Sequence, residues 1–221
     1  MTATEKYNEE KENAKTNRKN RILSSAFDLF SEKGIDSIAI TDIAKKAEIG
    51  VASIYRYFET KDQIVINTAI WAWNKQAAEL LPNVTGSAFD AKTGYEKLET
   101  ICRMFRRLFT ENYLFLRFIY FLDSYIFRQE ISKNNFDEYE KSIKFVKDKI
   151  IESIESGIND NTIKIIEGYT SSDLYYTMMH SLFSMVQKLS LSQNLLTMNE
   201  EVPATKQIDL LIQMLLSSLK D

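Results

Sequence analysis

The residues best suited to recognition chemistry lie in the short segment Val51–Phe58. Ile54 and Phe58 are four residues apart, as side chains on one face of a helix are, so that Tyr55 and Arg56 are predicted to point outward. An arginine can donate two parallel hydrogen bonds to a guanine, and it can also pair with a phosphate. The pattern therefore favours contact with DNA, the alternative being that Arg56 is an ordinary solvated surface residue.

The sequence offers little for catalysis or metal binding. It contains one histidine, His180, and one cysteine, Cys102, which are too few for a metal site or a catalytic triad. It lacks a Gly-rich phosphate loop, an HExxH pair and a nucleophile elbow. We therefore predict no enzyme, no metal and no cofactor, with a helical enzyme or adaptor as the alternative class.

Nine aromatic residues lie between Phe105 and Phe127. Such a stripe is most often core, but it can also surround a cavity for a small apolar or aromatic effector. His180 has the same two interpretations, as a core histidine or as a ligand contact. The residues predicted to line a pocket are Trp71, Phe105, Phe109, Phe118, Phe121, Tyr125, Tyr176, Met179, His180 and Phe183.

Composition predicts an all-α protein. The 221 residues include only six glycines and two prolines, which leaves few turns for a chain of many short strands. The net charge is -3, but residues 15 to 61 carry nine Lys or Arg against six Asp or Glu. A mildly basic amino-terminal segment on an acidic body fits local contact with phosphates.

Apolar periodicity predicts about nine helices after a mobile polar tail at residues 1–16. Gly34 follows the first helix where a left-handed residue is needed, Thr60 and Gln63 form a capping box, and Pro82 ends the fourth helix. Residues 82–90 are predicted as a loop. The predicted helices cover approximately 17–33, 39–47, 51–58, 61–81, 98–109, 113–128, 139–158, 172–192 and 204–220.

Residues 39–58 have the pattern of a helix-turn-helix. Small residues at Ala44, Ala47 and Ala52 permit two short helices to cross closely, and Ile43 and Ile54 supply the apolar contact between them. In such a motif the second helix enters the major groove of DNA.

The block from Ile22 to Ile64 resembles the tetracycline-repressor (TetR) family of regulators. The matching residues are Ile22, Ala26, Leu29, Phe30, Gly34, the run TDIAKKAEIG, the run SIYRYF and Lys61. The resemblance implies a helix-turn-helix DNA-binding domain at 17–62 and a helical effector-binding and dimerisation domain at 63–221. The DNA-contacting residues that it and the geometry imply are Arg18, Arg21, Thr41, Gly50, Val51, Ala52, Ser53, Tyr55, Arg56, Tyr57 and Lys61.

Several of these roles have a plain structural alternative. Tyr57 suits packing within the small domain nearly as well as DNA contact, and Arg18 and Arg21 suit a loose polar tail. The sequence also departs from the family at two positions. Ala39 cannot cap the second helix, so that Thr41 and a later start are expected to replace it, and Glu48 occupies a turn position where the family has glycine.

The resemblance also implies a homodimer that binds a near-palindromic operator and is released by an effector. The helices over 172–192 and 204–220 would pair across a two-fold axis, the alternative being an edge of the core within one chain. The expected interface residues are Leu174, Met178, Leu182, Met185, Leu189, Ile208, Leu211, Ile212, Leu215 and Leu219. The polar start of the chain and the lone Cys102 further predict a cytoplasmic protein without a membrane span.

Overall fold

The computed structural model describes residues 2–131, 136–192 and 201–220. Within these ranges the chain is helical and contains no strand, which confirms the predicted fold class. The helices are α1 (Ala3–Lys33), α2 (Ile40–Lys46), α3 (Val51–Tyr55), α4 (Lys61–Leu80), α5 (Ser87–Asp90), α6 (Gly94–Glu111), α7 (Tyr113–Gln129), α8 (Asp137–Asn159), α9 (Ser171–Ser192) and α10 (Ala204–Ser217).

Helix α1 begins at Ala3, so the predicted boundary between a tail and a helix near residue 17 is wrong. The Thr2 hydroxyl accepts a hydrogen bond from the Glu5 amide, and the Glu5 carboxylate accepts one from the Thr2 amide. This reciprocal cap starts a polar helix that remains exposed until Ile22, its first buried residue in the described part. An apolar stripe cannot reveal such a helix, because its first turns pack against nothing.

The predicted end of α1 and the predicted start of α4 agree with the observed ones. Gly34 has φ 80° and donates its amide to the Phe30 carbonyl at 3.0 Å, and a β-carbon added to it would lie 3.5 Å from the Phe121 ring. A side chain there would be strained whatever space surrounds it. The Thr60 hydroxyl accepts from the Gln63 amide at 3.2 Å and begins α4.

The body differs from the prediction mainly at its connections. A 3₁₀ turn at Leu81–Asn83 follows α4, and the predicted loop over 82–90 contains the short helix α5, which buries Phe89. The connection between the predicted helices over 172–192 and 204–220 lies partly, at 193–200, outside the described residues.

Two close contacts fix the packing of the body. Helices α6 and α8 cross at Gly94 and Gly157, where a β-carbon on Gly94 would lie 1.9 Å from the Gly157 nitrogen. The Phe118 ring of α7 lies 5.4 Å from the Phe27 ring and 6.4 Å from the Phe30 ring of α1. One apolar core therefore runs from the amino-terminal helices into the body.

Candidate DNA-binding interface and ligand cavity

Helices α2 and α3 form a compact helix-turn-helix. Ile43, Ala44 and Ala47 are buried on the first helix, and Ile54 and Phe58 are buried on and after the second. All five were predicted to face inward, and their burial confirms this. Because the inward positions are filled, the intervening positions of α3 must face solvent.

The outward face of α3 carries the candidate base contacts. Ala52, Tyr55 and Arg56 are exposed, while Val51 and Ser53 are half-buried. Helix α3 ends at Tyr55, earlier than the predicted end at residue 58, so that Arg56 lies in the turn that follows. One terminal nitrogen of Arg56, Nη2, donates to the Ser53 hydroxyl at 2.9 Å, which orients the guanidinium group along the outward surface.

Three further predicted contacts lie around this face. Gly50 is exposed at the start of α3, and Thr41 is exposed in the first turn of α2. Tyr57 is half-buried, packs against the core and lies 6.4 Å from the Phe58 ring. Its position therefore fits the packing alternative better than it fits groove contact.

The two departures from the family pattern have structural counterparts. Helix α2 begins at Ile40, and the Asp42 carboxylate accepts from the Ala39 amide at 2.8 Å, so the expected replacement of the cap by Thr41 with a later start is wrong. Glu48 adopts a left-handed backbone with φ 53°. A non-glycine residue in that conformation costs about 1 kcal/mol. The Arg21 side chain donates to the Glu48 carbonyl at 3.4 Å and spans the turn.

The candidate phosphate contacts differ in availability. Arg18 and Arg21 are exposed on α1. Lys61 instead turns towards the body, where its ammonium group lies 3.4 Å from the Asp36 carbonyl oxygen and 5.9 Å from the centre of the Tyr125 ring. Partial burial lowers the pKa of Lys61, although Asp36 and Asp62 oppose that shift. A phosphate would have to compete with these contacts for Lys61.

The body contains an apolar cavity between α4, α6, α7, α8 and α9. Its volume is about 600 Å³ when the open mouth is counted, and only about 50 Å³ of it can hold the centre of a water molecule. Its lining is apolar except for one amide and one ammonium group. The lining residues are Trp73, Gln76, Leu80, Val84, Ile101, Met104, Phe105, Leu108, Phe115, Phe145, Val146, Lys149, Ile150 and Phe183.

Phe105 and Phe183 are the predicted pocket residues that line this cavity, and their rings meet edge to face at 5.0 Å. The other predicted lining residues lie elsewhere, because each belongs to a helix face turned towards another part of the protein or towards solvent. These residues outside the cavity are Trp71, Phe109, Phe118, Phe121, Tyr125, Tyr176, Met179 and His180.

Particular contacts explain these positions. Trp71 packs against Phe27 at 5.7 Å between ring centres, on the side of α4 that faces α1. Tyr176 and His180 are exposed on α9, and the Tyr176 hydroxyl accepts from the Lys147 ammonium at 2.9 Å. An exposed His180 fits neither the expected core histidine nor a ligand contact inside the cavity.

The sequence interpretation missed most of the lining on α4 and α8. Trp73, two residues after Trp71, lies on the cavity side, where its indole nitrogen donates to the Tyr139 hydroxyl at 3.1 Å. The apolar stripe of α8 was recognised, but its rotation towards a cavity was not. Gln76 lies on the same helical face as Trp73 and Leu80, and this polar residue within an apolar stripe is the one sequence signal that could have pointed there.

The amino-terminal region matches a known family model. Residues 22–68 match the model described as bacterial regulatory proteins, tetR family. This match covers α2 and α3 in full, α1 from Ile22 onward and α4 as far as Thr68. Over these residues the amino-terminal domain is similar to the TetR family, and we call it the TetR domain.

Relatives of this TetR domain are regulators. The chain is 28% identical over 80 residues to an uncharacterized HTH-type transcriptional regulator, YuxN, of Bacillus subtilis, covering 36% of this chain and 27% of the relative. It is 46% identical over 46 residues to IcaR of Staphylococcus aureus, a negative transcriptional regulator of the biofilm operon icaADBC, covering 21% of this chain and 25% of the relative. The chain thus matches about a quarter of the length of these curated relatives.

The body is similar to solved structures in fold. The structure of the transcriptional regulator FadR from Bacillus subtilis in complex with stearoyl-CoA superposes with a TM-score of 0.63 and 16% identity, covering 90% of this chain and 98% of FadR. At that identity the likeness shows the fold alone. The TetR domain is therefore joined to a body that shares its helical arrangement with such regulators.

A polar junction connects the TetR domain to the body. We use the name domain junction for Asp36, Lys61, Asp62, Tyr125 and Arg128. The Tyr125 hydroxyl donates to the Asp62 carboxylate at 2.6 Å, and Arg128 pairs with Asp36. Burial raises the pKa of Tyr125, and the neighbouring Asp62 raises it further, so the phenol stays protonated and continues to donate.

A second polar contact reaches the same interface from α7. Arg117 donates to the Glu32 carbonyl at 3.1 Å, while its Nε is buried and has no hydrogen-bond partner among the described residues. Thus α7 holds α1 through a guanidinium group as well as through Phe118.

The expected dimer residues divide into two groups. Five are buried within the chain and cannot face a partner, because the packing of α9 and α10 against the body covers them: Met178, Leu182, Ile208, Ile212 and Leu219. The others are half-buried: Leu174, Met185, Leu189, Leu211 and Leu215. The intrachain alternative is therefore correct for the first group.

An apolar groove does lie on the outer side of α9 and α10. It includes Met185 and Leu211 from the expected set together with Val202, Leu210 and Met214, and these last three are exposed. Leu210 and Met214 are four residues apart on α10 and form a short apolar stripe in contact with solvent.

Two sequence predictions outside the candidate sites concern membrane spans and Cys102. Within the described ranges, no helix has the length and apolarity needed to cross a membrane. Cys102 is buried, as predicted, and burial raises the pKa of its thiol to about 12. The thiol therefore stays protonated and unreactive at neutral pH.

Proposed function

We propose that this protein is a dimeric transcriptional repressor that binds operator DNA through α3 and releases it when an effector occupies the body. The observation that carries the proposal is the outward face of α3, where Ala52, Tyr55 and Arg56 are exposed directly beside the buried Ile54. A short helix held rigidly by its inward side chains can present the opposite face to base edges.

The electrostatics of the TetR domain support DNA as the partner. Arg18 and Arg21 are exposed on the same helix that supports the helix-turn-helix, and neither forms an ion pair with a carboxylate in the described residues. Exposed cations without acidic partners are available to phosphates, whereas paired cations must first break a contact. We infer that these arginines fix the orientation of the domain while Arg56 reads sequence.

A second copy of the chain completes the proposed DNA-binding unit. One recognition helix reads only a few base pairs, and a symmetric dimer places a second helix about 34 Å away in the next major groove. The exposed Leu210 and Met214 supply an apolar surface on α10 that a two-fold partner would cover. The proposed interface therefore centres on that stripe, with Met185 and Leu211 beside it.

The effector is proposed to act through α4 and α7. Each helix lines the cavity, through Trp73 and Phe115 respectively, and each contributes to the domain junction. Only about 50 Å³ of the cavity can hold the centre of a water molecule in this state. This volume is smaller than that of ordinary ligand pockets, which enclose roughly 300–1,000 Å³. A ligand in the cavity would therefore have to move α4 and α7 apart. This movement would be transmitted to the TetR domain through the hydrogen bond between Tyr125 and Asp62.

Such a ligand can shift the equilibrium between the two states only by as much as its affinities for them differ. The relatives agree with a repressor of this kind, since IcaR is a negative regulator and the FadR structure contains stearoyl-CoA. Each of these statements describes the relative, and we extend the repressor logic to this chain as part of the proposal.

The proposal is tested by titrating the purified protein with DNA from upstream of its own gene at two salt concentrations. Binding that neutralises about six phosphates should weaken roughly 1,000-fold between 50 and 200 mM salt. Arg56→Ala should weaken binding about 10- to 100-fold and reduce discrimination against a scrambled duplex.

The matched control is Arg103→Ala, which removes an exposed arginine of α6 whose ion pair is with Glu99. It should bind DNA as the unaltered protein does. If neither the upstream nor the scrambled duplex binds, or if Arg56→Ala behaves like the control, the helical adaptor becomes the better interpretation.

A further inference from the structure

The cavity of the body carries a specific distribution of polar groups. Its walls are aromatic and aliphatic, and the two polar side chains that line it are Gln76 of α4 and Lys149 of α8. No carboxylate is part of the described lining. A ligand in this space would meet apolar walls, one neutral amide and one positive charge.

Gln76 is nearly fully buried, with 6% of its surface exposed. It makes no hydrogen bond with any residue in the described part of the chain. Its amide atoms are not among the fully enclosed polar atoms that lack a partner, so they reach the open space of the cavity. Its N–H groups are therefore available to an acceptor atom of a ligand.

Lys149 has a partner that a ligand can replace. Its ammonium group lies 2.6 Å from the Glu152 carboxylate, three residues further along α8, and the Glu152 side chain is 60% exposed while that of Lys149 is 31% exposed. Surface pairs of this type contribute little to stability, so exchange of Glu152 for another anion costs little. The lysine therefore offers a positive charge at the edge of an apolar space.

The shape of the cavity favours a slender ligand. Trp73 and Phe115 meet edge to face at 4.9 Å between ring centres, and Phe105 and Phe183 do so at 5.0 Å. Only about 50 Å³ of the space can hold the centre of a water molecule. A flat polycyclic molecule would have to displace these packed rings, whereas an unbranched alkyl chain needs a narrower path.

We propose that the effector is an anionic amphiphile, with an unbranched alkyl chain between α4, α6 and α8 and a carboxylate or similar acidic end at Lys149. This inference rests on the proposed function, because it names the ligand class of the same cavity. Carboxylate oxygens are acceptors only, and both Lys149 and Gln76 can donate to them. The alkyl chain would be stabilised by burial against the apolar walls.

The experiment compares three twelve-carbon probes at concentrations below their micelle thresholds: laurate, dodecanol and dodecyltrimethylammonium. Binding is measured by titration calorimetry and by tryptophan fluorescence, since Trp73 lines the cavity. Laurate should bind at least fivefold more tightly than dodecanol, and the ammonium compound should bind most weakly. Shorter carboxylates should lose about fourfold in affinity for each methylene removed.

Lys149→Gln should weaken laurate about fivefold and leave dodecanol unchanged, since only laurate loses a charge partner. Lys144→Gln is the matched control, because Lys144 lies on α8, is exposed and pairs with Asp148 outside the cavity. Lauroyl-CoA is titrated as well, to identify the source of the alkyl chain. If lauroyl-CoA binds more tightly than laurate, the effector is an acyl thioester, and if it binds more weakly, the effector is a free acid.

Equal or tighter binding of dodecanol or of the ammonium compound overturns the inference, as does a Lys149→Gln variant that binds laurate like the control. Failure of all three probes also overturns it. The DNA titration of the unaltered protein is run in parallel, so that loss of the ligand inference with retained DNA binding is distinguished from failure of the proposed function.

Discussion

The two candidate sites of this molecule are built in opposite ways. In the TetR domain the residues proposed to contact DNA are exposed on short helices, and the apolar residues beneath them are fully buried. In the body the residues proposed to contact an effector are buried or half-buried and line a narrow space between long helices. The first site can act without rearrangement, whereas the second must open before it can be filled.

This difference assigns different tasks to the two regions. A rigid outward surface suits recognition of a partner as stiff as duplex DNA. A narrow cavity suits a switch, because a ligand that widens it must change the spacing of the helices around it. Helices α4 and α7 belong to both regions, and the domain junction is where a change in one can reach the other.

The largest expected effect concerns the shared core. Phe118→Ala removes a fully buried ring between α1 and α7 and should lower the free energy of unfolding by about 3–5 kcal/mol. Urea denaturation followed by circular dichroism measures it. Phe127→Ala, on the same helix but 84% exposed, should change stability by less than about 0.5 kcal/mol. Similar losses in both variants would show that the two regions do not share a core at Phe118.

A smaller effect of opposite sign is expected at the cavity. Gln76→Leu places an apolar side chain at a buried position of the apolar cavity wall, and it should raise the free energy of unfolding by about 1 kcal/mol. Asn74→Leu, at an exposed position of the same helix, provides the control and should have little effect. If Gln76→Leu destabilises the protein, the Gln76 amide stabilises the fold itself and is not free for a ligand.

The domain junction should contribute about 1 kcal/mol. Tyr125→Phe removes the hydrogen bond to Asp62, and a double-mutant cycle with Asp62→Asn isolates the interaction of the pair. Tyr120→Phe alters an exposed tyrosine of the same helix and should be neutral. A coupling energy near zero in the urea-denaturation cycle would contradict a direct link between α4 and α7 at this point.

The smallest effect is expected at the turn of the helix-turn-helix. Glu48→Gly relieves a left-handed backbone and should stabilise the protein by about 0.5 kcal/mol, as measured by thermal denaturation. Lys45→Gly, in the preceding helix, should instead destabilise it by about 1 kcal/mol. Destabilisation by both substitutions would mean that the Glu48 side chain is needed at the turn.

Local sequence signals determined much of the TetR domain. The inward positions Ile43 and Ile54, the outward Arg56, and the helix ends at Gly34 and Thr60 all follow from spacing of a few residues, and the structure bears them out. They could be predicted because a short helix packed on one side has only one arrangement that buries its few apolar residues. The early start of α1 had an equally local signal, the Thr2 and Glu5 cap, which apolar periodicity does not detect.

Only the tertiary structure decided the cavity and the outer face of the body. Trp71 and Trp73 are nearly adjacent on α4, yet one packs against Phe27 and the other lines the cavity. Met178 is buried within the chain while Met214 faces solvent, although both occupy apolar stripes. A helix that is apolar on several sides does not specify its own rotation, because the neighbours that pack against it choose which side is core, cavity or free surface.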